Sequence, residues 1–345
     1  MSYWWILSII AIGASFCLTA LLRYYSLSRN IMDIPNERSS HSIPTPRGGG
    51  VSIVMTFLGS LVVMRCLGWI DLPFFLAVAG SGLLVAIVGF MDDHGHVAAR
   101  WRLLGHFGGA LWALFWLGGM PTIEIGGVGF DWRWVGGFVA SVYLVWILNL
   151  YNFMDGIDGI ASVEAICVCL GSCVLYLVSG NQSLVWAPLM LASAVSGFLI
   201  WNFPPARIFM GDAGSGFLGI VLGVFSIQAG HVEPRLFWVW IILLGVFIVD
   251  ATLTLLCRLA RGDRVYKAHR SHAYQYASRL YGRHFPVTIA VVVINLFWLF
   301  PMALSVVYFD VDGALALFVA YVPLVLIAIR YRAGRPEVRS PNIQS

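Results

Sequence analysis

Eleven apolar runs of roughly 17 to 25 residues divide the chain, at about 3–24, 49–68, 73–91, 103–119, 134–151, 159–179, 183–203, 213–229, 235–257, 286–307 and 313–330. Each is long enough to cross a hydrocarbon core as a helix, and too long to be a strand of a membrane barrel. Only 11% of the residues are charged, against about 25% in soluble domains. The chain therefore reads as an all-α integral membrane protein, with residues 1–330 as one transmembrane domain and 331–345 as a basic tail. The run at 3–24 has no basic residue before it and no small-residue cleavage pattern after it, so it reads as a retained span rather than a signal peptide. The six cysteines lie in or beside apolar runs without paired spacing and read as small core residues.

With the amino terminus outside, 18 of the 21 Lys and Arg residues fall in the cytoplasmic connections and the tail, leaving Arg65, Arg133 and Arg235 outside. That asymmetry is the positive-inside bias and sets the expected orientation, with the carboxyl terminus inside. The Arg-rich tail then reads as an anchor to anionic lipid. The same topology sends every polar cluster to one side: residues 33–50, 91–96, 149–159, 209–215 and 261–275. The outer connections offer Glu124 and Asp131 but no gathered constellation.

The densest cluster is Asn149 to Gly159, NLYNFMDGIDG, in which Asn149, Asn152, Asp155 and Asp158 recur every third residue. That spacing keeps them on adjoining parts of a helix face. Acids at a membrane boundary are expensive unless they hold a cation or a partner. Asp92 and Asp93 close another run as adjacent carboxylates, which repel without compensation. Asp212 sits in FMGDAGS among small residues whose backbone N–H groups can approach an anion. Asp92, Asp93, Asn152, Asp155, Asp158 and Asp212 together supply the hard oxygen ligands that suit Mg²⁺, which in turn suggests a phosphate substrate.

His269, Arg270 and His272, near Arg261, Arg264 and Lys267, form a basic loop suited to gripping a diphosphate. Asp33, Asn36, Arg38, His41 and Arg47 mix donors and acceptors before Gly48–Gly50, a glycine run that lacks the ending of a Walker loop. The sequon at Asn181 lies in a short connection and is discounted. Asp250, inside an apolar run, reads as a buried contact that holds the basic loop.

In this order the clusters D-x-P-N-x-R-x-x-H, DD, N-x-x-N-x-x-D-G-x-D-G, F-M-G-D-x-G-S and a basic His loop resemble the polyprenyl-phosphate N-acetylhexosamine-1-phosphate transferases, which include the phospho-N-acetylmuramoyl-pentapeptide translocase. The match runs from about Asp33 to His272. The resemblance implies ten or eleven transmembrane helices around a cytoplasmic cleft in a bacterial inner membrane. It implies transfer of a sugar 1-phosphate from a UDP-N-acetyl sugar to undecaprenyl phosphate, release of UMP, and a requirement for Mg²⁺, with Mn²⁺ as the alternative. A homodimer is an analogy only, and no nucleic acid is expected.

Carried over by motif, Asp212 and Asn152 would hold the metal. Asp155, Gly156 and Asp158 would line the nucleoside and diphosphate site, Phe209 would stack on uracil, and Gly211 would lie beside it. Asp92 and Asp93 would position and deprotonate the lipid phosphate, and His269, Arg270 and His272 would hold the donor diphosphate. Asp33, Asn36, His41 and Arg47 would complete the substrate contacts. The loop ends in His269-Arg270-Ser271-His272 rather than three consecutive histidines. It therefore resembles the O-antigen-initiating members, whose donors are UDP-N-acetylglucosamine or 6-deoxy relatives such as UDP-N-acetylfucosamine.

A secondary transporter is the rival of another class. It would place its site near the midplane between repeated halves, and neither is seen in the sequence. An intramembrane prenyltransferase would want N-x-x-x-D-x-x-x-D, which is missing.

Overall fold

The computed structural model describes residues 4–35, 43–95, 97–263 and 269–335. All eleven apolar segments are helical. They form α1 (Trp4–Ser28), α2 (Val51–Cys66), α3 (Leu72–His94), α4 (Ala99–Leu117), α5 (Arg133–Met154), α6 (Ile160–Val178), α7 (Trp186–Asn202) and α8 (Asp212–Val232). There follow α9 (Pro234–Leu243), α10 (Gly245–Ala260), a short α11 (Ala273–Tyr281), α12 (Phe285–Ile294), α13 (Phe300–Tyr308) and α14 (Gly313–Arg330).

Among the described residues, eight helices are long and apolar enough to cross a membrane, and a bent pair makes a ninth. Two departures from eleven straight spans have physical causes. The run at 235–257 breaks at Leu244 into α9 and α10, which meet at 70°. α2 is apolar but only 16 residues long, and α4 opens with the charged pair Arg100 and Arg102, so neither meets the length-and-apolarity test. α12 and α13 form one continuous span through a π-helical turn, Asn295–Leu299. Such turns widen a helix and re-aim a side chain. Here the turn carries Asn295, whose Nδ2 donates to Glu164 Oε2 at 2.7 Å deep in the bundle.

α8 is the axis of the fold. Nearly every residue along it is buried, whereas α1 and α14 bury only one side. Glycine makes this possible, because helices pack closest where a side chain is missing. A Cβ on Gly219 would fall 2.7 Å from Leu148 Cα of α5, and one on Gly89 of α3 would fall 2.5 Å from Asp212 O.

Two small hairpins sit at opposite ends. β1 (Met32–Asp33) pairs antiparallel with β2 (Thr45–Pro46), and β3 (Ile123–Ile125) with β4 (Val128–Phe130). Gly126 and Gly127 turn the second hairpin at φ +59° and +76°, the left-handed geometry that a two-residue hairpin needs. It docks at the end where Trp238 Nε1 donates to Glu124 O and where Arg235 pairs with Glu233 and Asp310. The other end carries the acids of the 92–93, 152–158 and 212 segments.

Candidate active site

The site is built where α3 ends and α8 begins. The glycine run before α2 acts as a backbone clamp. Gly49 N donates to Phe209 O and Gly50 N to Met210 O, both at 2.9 Å, and Phe209 N donates to Pro46 O at 2.8 Å. A Cβ on Gly50 would lie 2.5 Å from Gly214 Cα, so only glycine admits this approach. Gly211 then turns the chain into α8 at φ +79°, against the Asp93 carboxylate. This glycine makes the turn.

Asp93 is the anchor of that turn. Its Oδ1 accepts from Asp212 N at 3.1 Å and its Oδ2 from Ala213 N at 3.2 Å, which satisfies two of the first free amides of α8. Arg47, expected at the substrate, instead reaches Asp93: Nη2 donates to the backbone O at 2.6 Å and lies 3.5 Å from Oδ1. With its side chain only 2% exposed, Asp93 is placed as a helix cap rather than as an open base.

Asp92 faces the other way. Its Oδ1 accepts from Val97 N at 2.9 Å and its Oδ2 pairs with Arg102. The same guanidinium nitrogen lies 3.3 Å from Asp212 Oδ2. Asp212 is the accessible acid of the three: its side chain is 35% exposed, against 9% for Asp92 and 2% for Asp93.

Asn152 Nδ2 donates to Ser215 Oγ at 3.1 Å, leaving its carbonyl oxygen as the atom able to take a cation. Asp155 caps the end of α5, and no hydrogen bond or ion pair reaches its carboxylate among the described residues. Burial, followed by the charges of Asp212, Asp93 and Asp158, pushes that carboxyl up to about 8. Acids crowded so closely are relieved by a cation.

Asp212, Asn152 and Asp155 offer hard oxygens, the donor type that suits Mg²⁺. No ready-made cage of three acidic, His or Cys ligands stands among the described residues. Mg²⁺ usually binds through one or two carboxylates and completes its shell with water and substrate phosphate, so an open set suits it.

Asp158 lies on a separate wall. Its Oδ2 accepts from Ala206 N at 3.0 Å and its Oδ1 is 3.1 Å from His284 Nδ1. With Phe209 it lines a cavity of about 410 Å³. Phe209 and Asp212 are three positions apart, at most about 11 Å of chain, so cavity and acidic cluster are near neighbours.

The basic loop is anchored by Asp250, which accepts from Ala273 N at 2.9 Å and Tyr274 N at 3.0 Å, with His272 Nδ1 3.4 Å away. His272 is 3% exposed and opens α11 as its N-cap, a placement that suits positioning rather than contact with a diphosphate. His269 stacks on His272 with ring centroids 4.9 Å apart. Burial, then His272 and Arg258 beside it, pushes the His269 imidazole down to about 3, so at neutral pH it offers hydrogen bonds and no charge. Arg270 stands between them in the chain, half-buried. Tyr274 ties α11 to the central cluster through its hydroxyl, which donates to Phe153 O at 2.9 Å. A Cβ on Gly156 would meet that hydroxyl at 2.2 Å, so Gly156 answers to Tyr274. Asp33 is paired within β1–β2, and Asn36 and His41 lie outside the described residues.

Sequence reasoning missed Arg102, His284 and Tyr274. Arg102 passed as a marker of the inner side, His284 stands beyond the basic motif, and nothing marks a tyrosine in an amphipathic helix as a strut.

Helices of membrane-spanning length that gather a cluster of acids at one end define an integral membrane protein with a candidate active site at that end. The sequence profile of glycosyl transferase family 4 matches residues 75–230. A phospho-N-acetylmuramoyl-pentapeptide-transferase of Moorella thermoacetica is 31% identical over 227 residues, 61% of this chain and 68% of its own. A decaprenyl-phosphate N-acetylglucosaminephosphotransferase of Mycolicibacterium smegmatis is 31% identical over 237 residues, 61% of this chain and 56% of its own. A Bacillus subtilis protein named "Probable undecaprenyl-phosphate N-acetylglucosaminyl 1-phosphate transferase" is 25% identical over 326 residues, 93% of this chain and 89% of its own. The chain belongs to glycosyl transferase family 4, the polyprenyl-phosphate N-acetylhexosamine-1-phosphate transferases.

Proposed function

We propose that the protein transfers N-acetylhexosamine 1-phosphate from a UDP-sugar to undecaprenyl phosphate at the cytoplasmic face of a bacterial inner membrane, releasing UMP. The observation that carries this reading is the accessible Asp212 at the tip of α8, beside Asn152 and Asp155 and within a short segment of the Phe209–Asp158 cavity. The nucleoside would enter that cavity, and the donor diphosphate would reach the acids.

An oxygen of the lipid phosphate attacks the sugar-bearing phosphorus, a new P–O bond forms, and the bond to the uridine phosphate breaks. Direct attack is favoured, since positioning and charge stabilisation account for most of phosphoryl transfer. Bound Mg²⁺ would offset charge on the diphosphate, held by Asp212, Asn152 and Asp155. Arg102 orients Asp92 toward the same point, and Asp93 keeps the tip of α8 in place. Arg270 and neutral His269 offer donors to the departing phosphate.

The N-acetylglucosamine named for the relatives supports UDP-N-acetylglucosamine or a 6-deoxy relative as donor, and the His-Arg-Ser-His loop is the feature behind initiation of O-antigen as the proposed role. Purified protein given labelled UDP-N-acetylglucosamine or UDP-N-acetylfucosamine, undecaprenyl phosphate and Mg²⁺ is expected to release UMP. Asp212→Ala is expected to stop release with the melting temperature retained. No UMP from any UDP-N-acetyl sugar would remove the transferase reading.

A further inference from the structure

The chain beyond α14 reads from sequence as a basic tail, yet its first residues fold back onto the basic loop. Tyr331 ends α14, Arg332 N donates to Ile329 O at 3.0 Å and Ala333 N to Ala328 O at 2.9 Å, the paired closure of a Schellman turn. The left-handed position of that turn, at φ +59°, is filled by Arg332 rather than by glycine. A non-glycine residue is kept in that region only where its surroundings over-determine it. Here the Arg332 guanidinium lies 5.3 Å from the Tyr276 ring of α11, and the hydroxyls of Tyr331 and Tyr281 meet at 2.8 Å.

The turn delivers Gly334 between two elements. Its N–H donates to Ser271 O at 2.7 Å, and its carbonyl accepts from the guanidinium of Arg261, which closes α10. Arg261 is braced in turn by Asp263 at 2.6 Å. Gly334 is buried at φ +73°, and a Cβ there would lie 2.5 Å from Cys257 Cβ and 3.0 Å from Thr254 O, so the seat admits glycine alone.

Ser271 passes the constraint on. Its N–H donates to His269 Nδ1 at 3.4 Å, and its hydroxyl lies 3.0 Å from the same nitrogen. Nδ1 is therefore the accepting nitrogen, and the proton of the neutral ring stands on Nε2, from which it can be donated to a ligand.

We propose that Gly334 is a positioning residue for the donor site: a backbone staple between Arg261 and Ser271 that holds His269 in the tautomer able to donate from Nε2 to the donor diphosphate. The inference rests on the donor reading above and extends the site to the segment after α14.

Full-length protein in detergent would be compared with Gly334→Ala, with a truncation lacking 331–345 and with one lacking only 336–345. Hydrogen–deuterium exchange, read without substrate on peptides spanning 269–281, is expected to quicken at least about tenfold in the first two and to keep the wild-type rate in the third. In turnover, Gly334→Ala is expected to lower kcat/KM for the UDP-sugar about tenfold and to leave KM for undecaprenyl phosphate unchanged. In a His269→Ala background the same substitution should cost less than about twofold, because the staple acts through that ring. Where Gly334→Ala fails to fold, Arg261→Ala decides: it removes the donor to the Gly334 carbonyl from a side chain 33% exposed, and the same exchange and kinetic pattern is expected. A full additional loss in the His269→Ala background, wild-type exchange in Gly334→Ala or in the longer truncation, or equal damage from the shorter truncation overturns the staple. Wild type that releases no UMP from any UDP-N-acetyl sugar overturns the donor reading, and the exchange comparison still decides whether Gly334 holds the loop.

Discussion

Replacing Asp93 with alanine separates two roles that a carboxylate in this position can have. As a cap, Asp93 holds Asp212 N and Ala213 N at 3.1 and 3.2 Å and neutralises Arg47. Removal of a capping side chain costs about 0.5–2 kcal/mol. Hydrogen bonds to a charged group contribute about 1.5–3 kcal/mol each, part of which water regains at a membrane surface. About 3 kcal/mol in all is a reasonable sum. Unfolding entropy of about 2.1 cal/mol/K per residue, over 345 residues, turns that into a drop of about 4 °C. A membrane protein keeps much of its helix on unfolding, so its entropy change is smaller and the shift larger. Thermal melting of the detergent-solubilised protein with EDTA present should therefore show Asp93→Ala at least about 4 °C below wild type. Asp93→Asn, which keeps one acceptor oxygen, should fall between them. A melting temperature unchanged in Asp93→Ala, with turnover abolished, would refute the cap and return Asp93 to the role of base.

Arg102→Leu leaves Asp92 and Asp212 facing each other uncompensated, so its melting temperature should fall in EDTA and recover on adding Mg²⁺ more than wild type does; equal recovery would count against the shared-cation geometry. Asp155 keeps its proton in the folded state up to about 8, well above its ordinary 3.8. Folding therefore takes up a proton between these values, and stability from this group is full below about 4 and lost as pH rises to about 8. Metal-free wild type should melt lower at pH 8 than at pH 5, and Asp155→Asn should flatten that slope. Gly89→Ala places a Cβ 2.5 Å from Asp212 O, backbone against helix, so it should lower both melting temperature and turnover, whereas Gly59→Ala, with open space around it, should do neither.

The helices were legible because apolar runs of membrane-spanning length leave little choice. The break at Leu244 was not, since Gly245 alone marks it and glycine is ordinary in membrane helices. Glu164 escaped notice inside an apolar run, although its partner Asn295 shows a polar contact shaped by the π turn. At the site, the order of motifs pointed to one pocket, and contacts join Gly49 and Gly50 to 209–210, Asp92 and Asp93 to Asp212, Asn152 to Ser215, and Tyr274 to Phe153. Individual roles were harder to read, because a motif records which residues share a place and not which way each one faces. Asp93, His272, Gly156 and Gly211 all stand in motifs, yet all four support neighbours. Arg102 and His284 stand in none and touch the acids directly.

The enclosure of α8 has a bearing on how turnover can proceed. A rod wedged on every side, with glycine contacts too tight for a methyl group, has no room to slide or tilt. Asp212 is consequently a stationary post. Whatever travel the cycle requires must leave the tip of α8 in place, and the two substrates must be carried to the post.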